Sequence, residues 1–351
     1  MKTLSIDAFF EQKKLLGQEL VLATVSFTEG STYSKIGTYM LISDDGHFSG
    51  MLSGGCLEGD LVEQAKIVLT ENKSSLITYD LSNEDSLWGL GVGCDGLMRI
   101  FLQPLLPKNN YEPFQSLQDY LTTNEFGVMA IVVESDNSDD IGASLLGNNK
   151  SKKNFGVSEL LLPKINERIK YSLASRSSLL SAEGVDGTSI LCALLKPVPK
   201  ILILGAGNDA IPLVNFCTEL GWLVTIQDHR PAYIESVDFG ENTRACNYAV
   251  NAVTKNIDIE DFHAVVVMTH HFDQDQNYLK IIAETNIPYV GLLGPKERKN
   301  KILTELGEAA LSLKDRLHGP AGLDIGGRGS STIALSIVSQ IHQELIYRKV
   351  L

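Results

Sequence analysis

Ser53-Gly54-Gly55-Cys56-Leu57-Glu58-Gly59-Asp60 places a thiol behind two residues without side chains and ahead of an acid. A cysteine that only packs usually lies among branched apolar residues. This one lies where the backbone bends: the 36 residues from Gly30 to Ala65 hold seven glycines, each permitting a turn or a close approach. A thiol just ahead of a helix meets the positive end of its dipole, which favours thiolate. Glu58 opposes that slightly, yet suits a first helical turn. Cys94, in Gly91-Val92-Gly93-Cys94-Asp95-Gly96, is a second glycine-flanked thiol. Two such thiols suggest a soft-ligand or sulfur-handling site. The plain alternative for each is an inert small residue in a tight turn. Cys192, Cys217 and Cys246 lie in apolar or helical settings and read as core.

A second chemistry is written in Ile201-Leu202-Ile203-Leu204-Gly205-Ala206-Gly207-Asn208-Asp209-Ala210. Gly205 permits a tight turn, Gly207 lets backbone approach a phosphate, and Ala210 takes the third place of a G-x-G-x-x-G/A fingerprint. The helix start that follows offers free N–H groups to an anion. Asp228 ends the next strand, 23 residues after Gly205, where an acid would hold a ribose hydroxyl. His229 and Arg230 come next and would suit a phosphorylated ribose; Asp228 as a mere loop cap is the alternative. A third cluster, Thr269-His270-His271-Phe272-Asp273-Gln274-Asp275, follows an apolar run. His270, nearest the strand end, is expected to point into the ligand crevice. Asp273 and Asp275 read equally as members of that site or as loop acids, one of them capping a helix containing Tyr278–Ile282. Adjacent histidines cannot easily grip one metal, so no metal is expected there.

The elements that must position these groups follow from periodicity. The first 20 residues read as an amphipathic helix, not a signal peptide. Strands are expected at Leu20–Phe27, Tyr39–Ser43 and Leu97–Leu102, and a helix from Glu58 to Leu69 with Leu61, Ala65, Val68 and Leu69 on one face. Residues 107–198 are less defined: Phe126–Ser135 is a strand, while Asp136–Gly142 and Leu146–Asn154 read as polar loops. Pro197 and Pro199 mark a boundary, so the domains are expected at 1–198 and 199–351. Beyond it, apolar strands alternate with helices, as in a doubly wound parallel sheet. The last helix, from about Ser331 to Tyr347, is expected to carry Ile333, Ile337 and Ile341 on its inner stripe. The fold class is therefore α/β, a Rossmann-like C-terminal domain behind a mixed α+β N-terminal domain.

Composition narrows the partners. Forty-three acids against 30 bases give a formal charge of −13, which argues against nucleic acid and anionic lipid. No apolar run approaches the roughly 20 residues of a membrane span. Five scattered cysteines without a CxxC pair argue against a disulfide framework or a structural zinc, and fit a reducing cytoplasm.

Three blocks near the start, Gly30–Leu41, Gly50–Ala65 and Gly93–Leu105, resemble the N-terminal domain of the xanthine dehydrogenase accessory protein (XdhC/CoxI) family. Lys200–Val214, Val224–Pro231, Val265–Asp275, Tyr289–Lys299 and Leu317–Ile341 look like that family's C-terminal Rossmann domain. The resemblance implies a cytoplasmic, often dimeric, chaperone that binds molybdenum cofactor, supports its sulfuration by a cysteine desulfurase, and delivers it to an apo molybdenum hydroxylase of the xanthine dehydrogenase type. It also implies that Cys56 contacts the cofactor, either as a molybdenum ligand or by exchanging sulfur. Cys94 matches the family's second cysteine motif, with Asp95 where a glycine is usual; Asn208 stands where the fingerprint often has histidine. Asp324, between Gly322 and Gly326, matches an acid expected to face an interdomain crevice. Cofactor contacts are thus expected at Gly54, Gly55, Cys56, Glu58 and Cys94, and at Gly205, Gly207, Asn208, Asp209, Asp228, His270 and Asp324. An NAD(P)-dependent oxidoreductase, with His270 and Asp324 as proton-relay candidates, is the alternative.

Overall fold

The computed structural model of the chain describes residues 5–81, 96–181, 187–240 and 243–348. It divides into two compact units, Met1–Lys196 and Pro197–Leu351. No described helix is long and apolar enough to cross a membrane.

The first unit stacks helix, sheet, sheet and helix. After α1 (Ile6–Leu15), capped by the Ser5 hydroxyl, come β1 (Leu20–Gly30), β2 (Tyr39–Ser43), β3 (Phe48–Ser49), β4 (Ser75–Asp80) and β5 (Gly96–Leu105). They form an antiparallel sheet in the order β3-β2-β1-β5-β4. Side chains alternate across a strand, and β1 uses both faces. Val21, Ala23 and Val25 pack on Leu61, Ala65 and Val68 of α2 (Glu58–Glu71). Leu20 and Leu22 face the other way, into a core shared with Phe114, Met129, Ile131 and Leu191. Phe114 lies on α3 (Phe114–Leu121).

The other sheet is built from the stretch that periodicity leaves least defined. It holds β6 (Gly127–Glu134), β7 (Ser144–Gly147), β8 (Lys152–Phe155), β9 (Leu179–Ser181) and β10 (Ser189–Leu195), in the order β8-β7-β6-β10-β9, again antiparallel. Val128, Ala130 and Val132 pack outward on Ile165 and Ile169 of α4 (Leu162–Ser175). The expected polar loop at 146–154 is corrected: Leu146 and Gly147 belong to β7, and Lys152–Asn154 to β8. Lysines disguise the strand because β8 is an edge, where charged side chains are the usual guard against further pairing.

The second unit is a six-stranded parallel sheet: β11 (Lys200–Leu204), β12 (Leu223–Gln227), β13 (Thr243–Cys246), β14 (Ala264–Val267), β15 (Tyr289–Leu292) and β16 (Leu317–His318). Its order, β13-β12-β11-β14-β15-β16, is the Rossmann order. The order reverses between β11 and β14, and there the crevice opens. Helices α5 (Ala210–Glu219), α6 (Pro231–Glu235), α7 (Val253–Asn256), α8 (Phe272–Ala283), α9 (Lys296–Leu306) and α10 (Ser330–Tyr347) complete the unit. Ile201 and Ile203 pack toward α5 and α10, and Leu202 and Leu204 toward α8.

The inner stripe of α10 is corrected in one place. Ile337 and Ile341 are buried, but Ile333 is 36% exposed; the stripe runs through Ala334, Ile337, Val338, Ile341 and Leu345. Ile333 sits about 100° of rotation behind Ala334, on the fringe of that face. Accordingly, Ile337→Ala is expected to lose about 2–4 kcal/mol in urea unfolding, and Ile333→Ala under about 1 kcal/mol; equal losses would refute this stripe.

Candidate functional site

In the first unit the expected site is the Ser53–Glu58 loop leading into α2. Gly54 and Gly55 have φ of 77° and 110°, a region that costs an L-residue roughly 1–2 kcal/mol. At Gly54 an added Cβ would only touch the Tyr33 ring, at 3.4 Å, so the backbone angle is the reason for glycine. The loop is closed by Glu58, the first residue of α2, whose side chain turns back and is 3% exposed. One carboxylate oxygen accepts the N–H groups of Leu52 and Ser53, each at 2.9 Å. The other accepts the Gly55 N–H at 3.0 Å and the Ser53 hydroxyl. That hydroxyl in turn accepts the Leu57 N–H at 2.8 Å. Burial by itself would raise the Glu58 pKa; the hydrogen bonds from the Ser53 hydroxyl and the loop amides outweigh it and hold it below the usual range.

A carboxylate has about four acceptor positions, and the loop uses four donors on Glu58. Its place is therefore that of the loop's anchor. Cys56, a free thiol, is half-buried between exposed Gly55 and buried Leu57. Cys94 lies outside the described residues; Gly96, two positions on, begins β5 and pairs with Gly30. Among the described residues no group of three or more His, Cys, Asp or Glu side chains could hold a metal ion.

In the second unit the crevice between the ends of β11 and β14 is a cleft of about 790 Å³. Gly205, at φ 120°, donates its N–H to Gln227, and a Cβ there would lie 2.5 Å from the Met268 carbonyl. The amides of Gly207, Asn208 and Asp209, ahead of α5, donate to no protein acceptor among the described residues. Asp209 turns its carboxylate over Gly207, where a Cβ would lie 2.7 Å from Oδ1. It also pairs with His270 Nε2 at 2.7 Å.

His270 does face the cleft, and in a left-handed conformation, φ 62°. A hydrogen-bond network next to it holds it there. Thr269 donates both its N–H (3.2 Å) and its hydroxyl to Asp275, and that hydroxyl oxygen accepts the His271 N–H. The capping alternative is corrected here. Helix α8 begins earlier, at Phe272, so Asp273 and Asp275 lie inside its first turn. Asp275 is fully buried and receives the guanidinium of Arg298 from α9. Sequence reasoning misses Arg298, because nothing local links it to Asp275.

Asp228 is 1% exposed, and its carboxylate is also fully engaged. Oδ2 accepts the Ala206 N–H at 2.8 Å and Arg230 Nη2 at 2.7 Å; Oδ1 accepts the Arg230 N–H at 3.0 Å and Nε at 2.9 Å. Burial would raise its pKa, but the Arg230 guanidinium and the two amides hold it below the usual carboxylate range. Asp324 is exposed, on a loop tied to α10 where Gln340 accepts the Gly322 N–H at 2.8 Å.

Comparison with known proteins agrees with both halves. Residues 201–341 match the XdhC Rossmann domain family, and residues 16–80 match the XdhC and CoxI family. The chain is 30% identical over 339 residues to a probable xanthine dehydrogenase subunit of Bacillus subtilis, covering 96% of each. It is 20% identical over 348 residues to the molybdenum cofactor insertion chaperone PaoD of Escherichia coli, covering 97% of this chain and 89% of that one. A crystal structure described as a xanthine dehydrogenase from Bacillus halodurans superposes with a TM-score of 0.77 at 29% identity, covering 98% of this chain and 97% of that one.

The Glu58 anchor has a measurable consequence. Its folded pKa is depressed, so its contribution to stability is present above the unfolded value of about 4.3 and is lost as pH falls through the folded value. Glu58→Gln keeps one acceptor but turns an amino group on the Gly55 N–H and the Ser53 hydroxyl. The variant is expected to unfold about 2–4 kcal/mol more easily at pH 7, with the gap closing toward pH 3, and its Cys56 is expected to alkylate faster with iodoacetamide. A variant as stable as the parent at pH 7 would refute the anchor.

Proposed function

The chain belongs to the XdhC and CoxI family, and from that premise we propose that it is an accessory protein of a xanthine dehydrogenase-type molybdenum hydroxylase, holding molybdenum cofactor as cargo for that client. The observation that carries the reading is the Cys56 thiol, half-buried on a loop whose shape Glu58 sets without any ligand. A soft thiolate suits a molybdenum–sulfur centre. The free amides of Gly207, Asn208 and Asp209 suit the phosphate of a pterin cofactor. Gly205 and Gly207 keep the backbone open there. Asn208, Asp209 and His270 border that cradle, while Asp228 acts by holding the Ala206 amide in the turn.

In this proposal sulfur is offered by Cys56 and, by the family resemblance, Cys94; a role for Asp324 rests on the resemblance alone. Sulfuration by a cysteine desulfurase and delivery to the apo-hydroxylase are steps of the same reading, as is a homodimer. A cytoplasmic place fits the four free thiols among the described residues. The oxidoreductase alternative gains nothing from Asp228, since its acceptor positions serve the protein itself.

The test is retention. Full-length protein loaded with molybdenum cofactor is expected to carry it through gel filtration, and Cys56→Ala to retain it at least about tenfold less well, with unchanged thermal melting. Equal retention by the variant would remove Cys56 from the function.

A further inference from the structure

A Rossmann cleft normally reads a dinucleotide through the acid at the end of its second strand, which accepts the ribose diol. Here that acid is Asp228, and each of its acceptor positions is filled from within the chain. Three of the four bonds come from one residue, Arg230, two positions along. The chelate is therefore local and forms as the loop folds.

Arg230 is gripped on a second side as well. Its guanidinium carbon stands 3.7 Å from the ring centroid of Tyr233, in α6. Pro231 begins that helix and pre-sets its backbone. Both Arg230 and Tyr233 line the cleft. A ribose diol would offer two neutral hydrogen bonds in exchange for a charge-assisted bidentate pair to a buried carboxylate, an unfavourable exchange.

We propose that Arg230 determines the ligand class of this cleft: by locking Asp228 it bars ligands that must be read through a ribose diol, NAD(H) among them, and leaves an anion site that does not depend on a diol. The inference rests on the cofactor-cargo reading only for the identity of the admitted ligand; the exclusion stands on the geometry of the second unit alone. It also assigns Arg230 a place opposite to the one its position suggests. Its Nε and Nη2 are turned onto the carboxylate of Asp228.

Calorimetric titration of the full chain with NAD+ tests it. The parent is expected to give no binding up to about 1 mM. Arg230→Ala is expected to bind NAD+ at least about tenfold more tightly than the parent, and Asp228→Asn in the same background to abolish that gain. Should Arg230→Ala fail to fold, Arg230→Gln, which cannot make the bidentate fork, carries the same expectation. Micromolar binding of NAD+ by the parent would overturn the proposal, as would a folded Arg230 variant without the gain. Failure of the cargo reading shows separately, as cofactor retention independent of Cys56.

Discussion

A carboxylate removed from water must have its acceptor positions met by the protein, and that constraint organises every loop of interest. Glu58, Asp228 and Asp275 are 3%, 1% and 0% exposed, and an isolated buried charge of this kind is very costly. Each is supplied in the same way, by backbone N–H groups of the loop it closes and by a side-chain donor. Glu58 takes Leu52, Ser53 and Gly55 amides and the Ser53 hydroxyl. Asp228 takes the Ala206 and Arg230 amides and the Arg230 fork. Asp275 takes the Thr269 amide and hydroxyl and the Arg298 fork. Losing any of these acids would strand several donors at once, so the loops are set before a ligand arrives. Preorganisation of that kind lowers the ordering cost of binding.

The same acids explain the backbone conformations around them. Gly54 and Gly55 curl through positive φ so that the Gly55 amide can turn back onto Glu58. His270 adopts a positive φ without the freedom of glycine, and a strained residue persists only where its surroundings over-determine it. The Thr269–Asp275–Arg298 network does so on one side and the Asp209 carboxylate on the other. The strain falls where β11 and β14 diverge, the place in a doubly wound sheet where ligands bind.

Much of this fold is legible in sequence, because burial imposes a period. The continuous apolar runs of β11 and β14 mark strands covered on both faces, and the Leu61-Ala65-Val68 spacing marks one face of α2. Legibility fails where burial is one-sided or the partner is remote. The edge strand β8 carries lysines and so mimics a loop. Ile333 has the right residue type one step off the buried stripe. The site shows the same division. Residue types near Cys56, Gly205 and His270 announce reactive loops, but types do not say how many acceptor positions are already filled. The sequence marks Asp228 and Glu58 as acids beside glycine turns, but only the fold brings the Arg230 fork onto the one and the amides of Leu52, Ser53 and Gly55 onto the other. Ser53, five residues ahead of Glu58, is the available local signal. Arg298, 23 residues beyond Asp275, leaves none.

Environment then selects among the thiols. Burial pushes Cys192 and Cys217 up to about 12, so at neutral pH they are protonated, and a protonated thiol is neither nucleophile nor metal ligand. Cys246 is buried at the end of β13. Cys56 differs in kind: it is half-buried, and the loop beneath it commits its polar groups to Glu58. Changing Cys56 leaves each of those hydrogen bonds in place, whereas changing Glu58 dismantles the loop. Glu58 therefore holds the loop's shape, and the thiol two positions ahead of it takes no part in holding it. Under the function proposed above, that separation would let a sulfur atom meet a cargo and part from it without disturbing the fold that presents it.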